Sequence, residues 1–167
     1  SKAAGDIAVA NCPRHYILRS SWVIGEGHNF VKTMMMLSNR VADPGDGLNE
    51  VTVVDDQYGR LTFTSDMADA IFHLLDSGAG YGTYDLTGSG RVESWAGIAK
   101  AVFDLTNGNG GKIKPISTAE YFANAKAPVS PRPTYSALDL AKIEATGLDV
   151  PDWEESLKAY VTKELKK

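Results

Sequence analysis

Gln57, Arg60 and Arg132 are the side chains of this sequence best suited to grip a polar, anionic ligand. Gln57 can both donate and accept, as a contact to a sugar or a base requires. Arg60 closes the segment Asp55-Asp56-Gln57-Tyr58-Gly59-Arg60, and a guanidinium there can pair with phosphate oxygens. Arg132 stands between Pro131 and Pro133, and a loop stiffened in this way loses less entropy when it closes on an anion. The chain carries a net charge of −4, so an anion must be met by positive charge gathered locally. Arg19, Lys32, Arg60 and Arg132 are the candidates. A solvated surface charge is the plain alternative for any one of them.

Asn29-Phe30 opens an apolar-periodic stretch, and a helix start exposes amides that attract anions. Helix capping alone also explains Asn29. Gly25-Glu26-Gly27-His28-Asn29-Phe30 imitates a dinucleotide fingerprint, but Phe30 replaces the third glycine, which rejects it as a cofactor loop. Trp22 ends an apolar run, and composition alone makes it a core residue. His15, His28 and His73 have no metal-ligand spacing with Cys12 or with paired carboxylates. There is no Gly-x-Ser-x-Gly elbow and no phosphate-binding loop of the P-loop type.

The elements that must hold these residues alternate. The sequence predicts a helix over 1–11, a strand over 14–23, a helix over 29–39, a loop over 41–49 and a strand over 50–54. A further helix starts at Thr64-Ser65-Asp66, where a carboxylate in the first turn suits the dipole. Its Met67, Ile71, Leu74 and Leu75 are expected to face the core. A strand is expected over 82–87, and Trp95, Ile98, Ala99, Val102 and Phe103 give the cleanest amphipathic helix. Asn107 to Gly111 ends it. A strand over 112–116, a short helix over 118–125, an extended loop over 126–134 and a helix over 138–145 follow. The last helix starts near Asp152, with Trp153, Leu157, Tyr160, Val161 and Leu165 on one stripe. Met34-Met35-Met36 reads as adaptable packing. Such alternation points to an α/β or α+β arrangement.

At 167 residues, 43% hydrophobic and 23% charged, the chain has the size and composition of one globular domain, or most of one. No apolar run is long enough to span a bilayer. The acidic balance favours neither nucleic acid nor an anionic membrane. A single cysteine fits a reducing cytoplasm.

Five segments, in order, carry a resemblance. They are Ser1-Lys2-Ala3-Ala4-Gly5-Asp6, Arg19-Ser20-Ser21-Trp22, Asn29-Phe30-Val31-Lys32-Thr33, Asp55 to Thr62, and Pro131-Arg132-Pro133-Thr134-Tyr135-Ser136-Ala137-Leu138-Asp139. Together they resemble the C-terminal half of the dTDP-4-dehydrorhamnose reductase family, within the extended short-chain dehydrogenase/reductase superfamily. Leu61 departs from that family's usual proline. The resemblance implies an α/β fold, part of a Rossmann-like sheet plus a substrate-binding α/β subdomain, forming a single domain over 1–167. It implies that Lys2 is the lysine of a Tyr-x-x-x-Lys pair, serving both catalysis and the cofactor, with the tyrosine four residues earlier. Positions i and i+4 are helix neighbours, and lowering a tyrosine by about 3 pKa units takes roughly 4 kcal/mol, which an adjacent ammonium helps to supply.

By the same resemblance Trp22 lies beside the deoxysugar ring, and Asn29, Gln57, Arg60 and Arg132 contact the nucleotide sugar. The implied reaction of the intact protein is reduction of dTDP-4-dehydro-L-rhamnose to dTDP-L-rhamnose with NADPH or NADH. The family's glycine-rich dinucleotide turn is not in this sequence, so the expectation for this chain alone is no cofactor bound and no turnover. Its expected partners are a dTDP-sugar and either a second copy of itself or the remaining half of the reductase. The alternatives are a non-catalytic regulatory relative, like the regulatory subunit of methionine adenosyltransferase, and another sugar-nucleotide reductase or epimerase.

Overall fold

The computed structural model describes residues 2–123 and 129–167. Strands come in parallel pairs joined by helical crossovers, as an α/β fold requires. Strand β1 (Tyr16–Ser20) pairs with β6 (Gly82–Leu86), β2 (Val23–Ile24) with β5 (Thr62–Phe63), and β3 (Val51–Val54) with β8 (Ile113–Ile116), all parallel. A small antiparallel pair joins β4 (Tyr58–Gly59) to β7 (Glu93–Ser94). Nothing in the sequence pattern announces that last pair, because each of its strands is only two residues long.

Helix α1 (Lys2–Ala10) lies against β1 and buries no residue. Helix α2 (Phe30–Ala42) turns Val31, Met34, Met35 and Ser38 inward, so the methionine run does pack, save Met36, which is exposed. Helix α3 (Thr64–Asp76) follows β5, and α4 (Trp95–Asn107) follows β7. Ser94 caps α4 by accepting from the Gly97 amide, and Gly108 ends it at φ +67°, a left-handed position where glycine costs least. Helices α5 (Thr118–Tyr121), α6 (Ala141–Glu144) and α7 (Trp153–Glu164) complete the chain. Asp152 caps α7, and Glu154 and Glu155 lie in its first turn, where the dipole favours them.

Two clusters make up the core. The larger packs α2, α4 and α7 around Leu61, Ile98, Phe103, Trp153 and Leu157. The smaller packs α3 and α6 on β6 through Leu74, Tyr84, Leu86 and Ile143. The larger cluster shares Met34 and Val53 with the lining of a surface cleft.

Several sequence expectations need correction. The single strand over 14–23 is broken at Ser21-Trp22, because Trp22 adopts φ +49° and redirects the chain onto β5. On α3, Ala70 and Leu74 take the core, whereas Ile71 and Leu75 are 45% and 59% exposed. With Phe72 they form an outward apolar stripe, since only a narrow face of this helix meets β6. Leu165 lies beyond α7 and is exposed. The helix over 138–145 shortens to α6, with Asp139 accepting from the Ala141 amide at its start. The helix over 118–125 shortens to α5, and its residues 124–125 lie outside the described residues. Residues 126–128 of the 126–134 loop, Pro128 included, also lie outside them. From 129 to 134 the chain forms neither helix nor strand. No helix among the described residues is long and apolar enough to cross a membrane.

Candidate functional site

An open cleft of about 420 Å³ lies at the N-terminus of α2. One wall is the start of that helix, His28 to Phe30, with Thr33 and Met34 one turn on. Strand β3 contributes Thr52, Val53 and Val54, and the loop that follows adds Gln57. Trp95, the first residue of α4, Tyr121 and Phe122 at the end of α5, and Arg132 complete the lining. The cleft therefore combines aromatic walls with a few polar groups, the composition of a small-molecule site.

Each polar group is held by local chemistry. Asn29 caps α2 by accepting from the Lys32 amide at 3.0 Å. Its own amide donates to the Gly25 carbonyl at 2.8 Å and to the Tyr160 hydroxyl at 2.8 Å. Nearly all of its side-chain capacity is thus spent on fixing the loop before the helix. What the helix start offers a ligand is its dipole and first amides.

Gln57 donates to Thr118 Oγ1 at 2.9 Å. The same hydroxyl and the Thr118 amide both bond to Asp56. The Thr118 hydroxyl, then its amide, hold the Asp56 carboxyl below the ordinary aspartate range. A capping box of Ser117 and Glu120 fixes the start of α5. This chain of bonds ties the Asp55–Thr62 segment to α5 and orients Gln57 toward the cleft it lines.

The four basic candidates separate. Arg19 bonds Asp6 through Nη2 at 2.7 Å and Nε at 3.0 Å, joining β1 to α1. Lys32 pairs with Glu164 of α7 at 3.1 Å. Arg60 donates through Nη2 to the Leu138 carbonyl at 2.6 Å, its buried Nε has no partner among the described residues, and it does not line the cleft. Arg132 is exposed and lines the cleft.

Trp22 is half-buried and outside the cleft lining. Its ring stacks on Trp95, with centroids 3.8 Å apart and planes at 21°. Phe30 packs on Trp95 from another side at 4.5 Å. Lys2 begins α1, is exposed and is not part of the cleft. The structure thus brings Asn29, Gln57 and Arg132 together, and places Trp22, Arg60 and Lys2 elsewhere. Sequence reasoning missed Trp95, Phe30 and His28 as lining residues. Trp95 falls on the apolar stripe of α4, and it both packs against the core and lines the cleft, which helical spacing alone does not reveal.

The glycine-rich turn from β2 into α2 does not fit a dinucleotide. Phe30 packs on Trp95 where a third glycine would be needed. Asn29 fills the interior of that turn with hydrogen bonds to Gly25 and Gly27.

The family model described as "RmlD substrate binding domain" matches residues 1–166. A dTDP-4-dehydrorhamnose reductase of Sinorhizobium fredii is 41% identical over 96% of this chain and 54% of its own length. One from Aggregatibacter actinomycetemcomitans is 37% identical over 95% of this chain and 54% of its own. The crystal structure of a dTDP-4-dehydrorhamnose reductase from Clostridium acetobutylicum superimposes with a TM-score of 0.83 at 35% identity, over 99% of this chain and 54% of that one. A Bacillus anthracis dTDP-4-dehydrorhamnose reductase, solved in complex with NADP, gives a TM-score of 0.78 at 33% identity, over 97% of this chain and 53% of that one. The chain spans about half the length of the relatives it matches.

Proposed function

Because this chain belongs to the dTDP-4-dehydrorhamnose reductase family, matching its substrate-binding part, we propose that it is the nucleotide-sugar-binding portion of a reductase that makes dTDP-L-rhamnose from dTDP-4-dehydro-L-rhamnose with NAD(P)H. One observation carries the reading. Asn29, Gln57 and Arg132 come from three segments far apart in sequence, and all three line one cleft at the N-terminus of α2. Arg132 supplies the charge for a diphosphate, the helix start adds its dipole, and the aromatic walls take the flat or apolar parts of the ligand. Trp22 stacks on Trp95 from outside the cleft lining, and we assign it to the sugar. Arg60 acts indirectly, by anchoring the chain at Leu138. Lys2 is assigned to the family's Tyr-x-x-x-Lys pair. The single exposed cysteine, Cys12, fits a reducing cytoplasm.

Titration calorimetry tests this directly. The chain binds dTDP and dTDP-L-rhamnose and takes up no NADPH. Tight NADPH binding overturns the division of labour, and preference for UDP- or GDP-sugars over dTDP-sugars assigns the site to another sugar-nucleotide enzyme. The outward stripe of Ile71, Phe72 and Leu75 on α3 is the surface we assign to contact with the rest of the reductase or with a second copy. Sedimentation shows self-association that weakens when Phe72→Glu is introduced. A clean monomer at high concentration refutes this assignment.

A further inference from the structure

Trp22 has the only positive φ of a non-glycine residue among the described residues, +49°. A bulky residue keeps that conformation only where its surroundings over-determine it. Hydrogen bonds from Thr62 to the Ser21 and Trp22 carbonyls fix the backbone turn, and two neighbours fix the indole. Trp95 stacks on one face at 3.8 Å between centroids. Gly59 approaches the other. A Cβ built on Gly59 would fall 2.8 Å from Cε2 of Trp22 and 2.9 Å from both Cδ2 and Cζ2. Cε2 is bonded to both of those carbons, so a point almost equidistant from all three lies over the ring and not at its edge. A stacked ring and a backbone cannot share one face at such distances. Both faces of the Trp22 indole are therefore covered, which leaves the ring edge to account for the partial exposure of this half-buried residue.

Resting on the nucleotide-sugar reading for its ligand, we propose that Trp95 is a positioning residue: it clamps Trp22 against Gly59 in the left-handed conformation, so that the sugar meets the indole edge and not its face. An indole edge presents an N–H donor, so it selects a hydroxyl or carbonyl oxygen of the sugar, where a face would select an apolar ring surface.

Circular dichroism and ¹⁹F resonances of 5-fluorotryptophan-labelled chain test the proposal. The wild-type chain shows the exciton couplet of two stacked indoles, and the couplet survives addition of dTDP-L-rhamnose. Gly59→Ala keeps both tryptophans but abolishes the couplet, because the new methyl displaces the ring. Trp95→Leu moves the Trp22 resonance to its solvent-exposed position and weakens dTDP-L-rhamnose about tenfold, or about 1.4 kcal/mol, beyond whatever dTDP itself loses with the cleft wall. Trp95→Phe restores both. The buried Trp153 reports in the same spectra that each variant is folded. Absence of the couplet in wild type, its loss on adding dTDP-L-rhamnose, or an unmoved Trp22 resonance in Trp95→Leu overturns the proposal. If wild type binds no dTDP-L-rhamnose, the nucleotide-sugar reading and the ligand half of this inference fall, while the couplet and the resonance still decide whether Trp95 clamps Trp22.

Discussion

The Tyr160 hydroxyl accepts from the Asn29 side-chain amide at 2.8 Å and donates to the Gly25 carbonyl at 2.7 Å. One phenol on α7 thereby fixes the loop that opens the ligand cleft. The Lys32–Glu164 pair at 3.1 Å joins the same two helices a turn further on. Tyr160→Phe removes the bridging oxygen but leaves Asn29 bonded to Gly25. The expected cost is about 1 kcal/mol of stability, measured by urea denaturation, with a clear loss of dTDP affinity by calorimetry. Unchanged affinity would show that the loop needs no support from α7.

Arg132 and Arg60 separate binding from folding. Arg132 is exposed at the cleft, so Arg132→Ala weakens dTDP roughly tenfold or more, flattens the salt dependence of binding and leaves the melting temperature nearly unchanged. Arg60 spends a hydrogen bond on the Leu138 carbonyl. Arg60→Ala destabilises by about 1–3 kcal/mol, since a charged donor and its packing are lost together, and affects dTDP less than Arg132→Ala does. The reverse ranking of the two variants in a calorimetric series would reassign the phosphate contact to Arg60.

Asp56 gives a pH dependence with a definite sign. Its carboxyl is held below the ordinary aspartate range, first by the Thr118 hydroxyl and then by the Thr118 amide. A carboxylate depressed in the folded state contributes stability that is present above its unfolded value, near pH 4. That contribution is lost as pH falls through the lower folded value. The link between the Gln57 loop and α5 therefore loosens only in that acid range. Thr118→Val raises the Asp56 titration midpoint, read from its carboxyl carbon by NMR. An unmoved midpoint would show that the hydroxyl contributes nothing.

The elements were legible wherever a single physical signal ruled. Val102, Phe103 and Ile98 fall on one stripe of α4, and the capping Asn29 marks α2. The break at Trp22 was not legible, because its left-handed backbone depends on Trp95 and Gly59, which lie 73 and 37 residues away. The outward turn of Ile71 and Leu75 was hidden for a similar reason: helical spacing shows that an apolar face exists, and only packing against β6 decides which residues fill it. In the cleft, residue type together with the family resemblance of their segments brought Gln57 and Arg132 forward. It could not reveal that Arg60 is anchored to a carbonyl or that Asn29 is consumed by its own loop, since both facts depend on partners distant in sequence.

Gly88 tests whether the close seam between the end of β6 and α7 is needed for the fold. Its amide donates to the Leu61 carbonyl at 2.9 Å. A Cβ there would stand 2.7 Å from that carbonyl oxygen and 2.7 Å from the Trp153 Cβ. Neither contact can yield by rotating a flexible tip, because one is backbone and the other is the root of a fully buried tryptophan. Gly88→Ala should therefore cost about 1–3 kcal/mol through forced displacement of α7. Gly111 is the matched control, with open space around its would-be Cβ and no left-handed φ. Gly111→Ala should be neutral or stabilise by up to about 1 kcal/mol, through the unfolded chain. Equal urea midpoints for the two variants would show that α7 yields freely at this seam, and the clamp that Tyr160 places on Asn29 would then lack a rigid base.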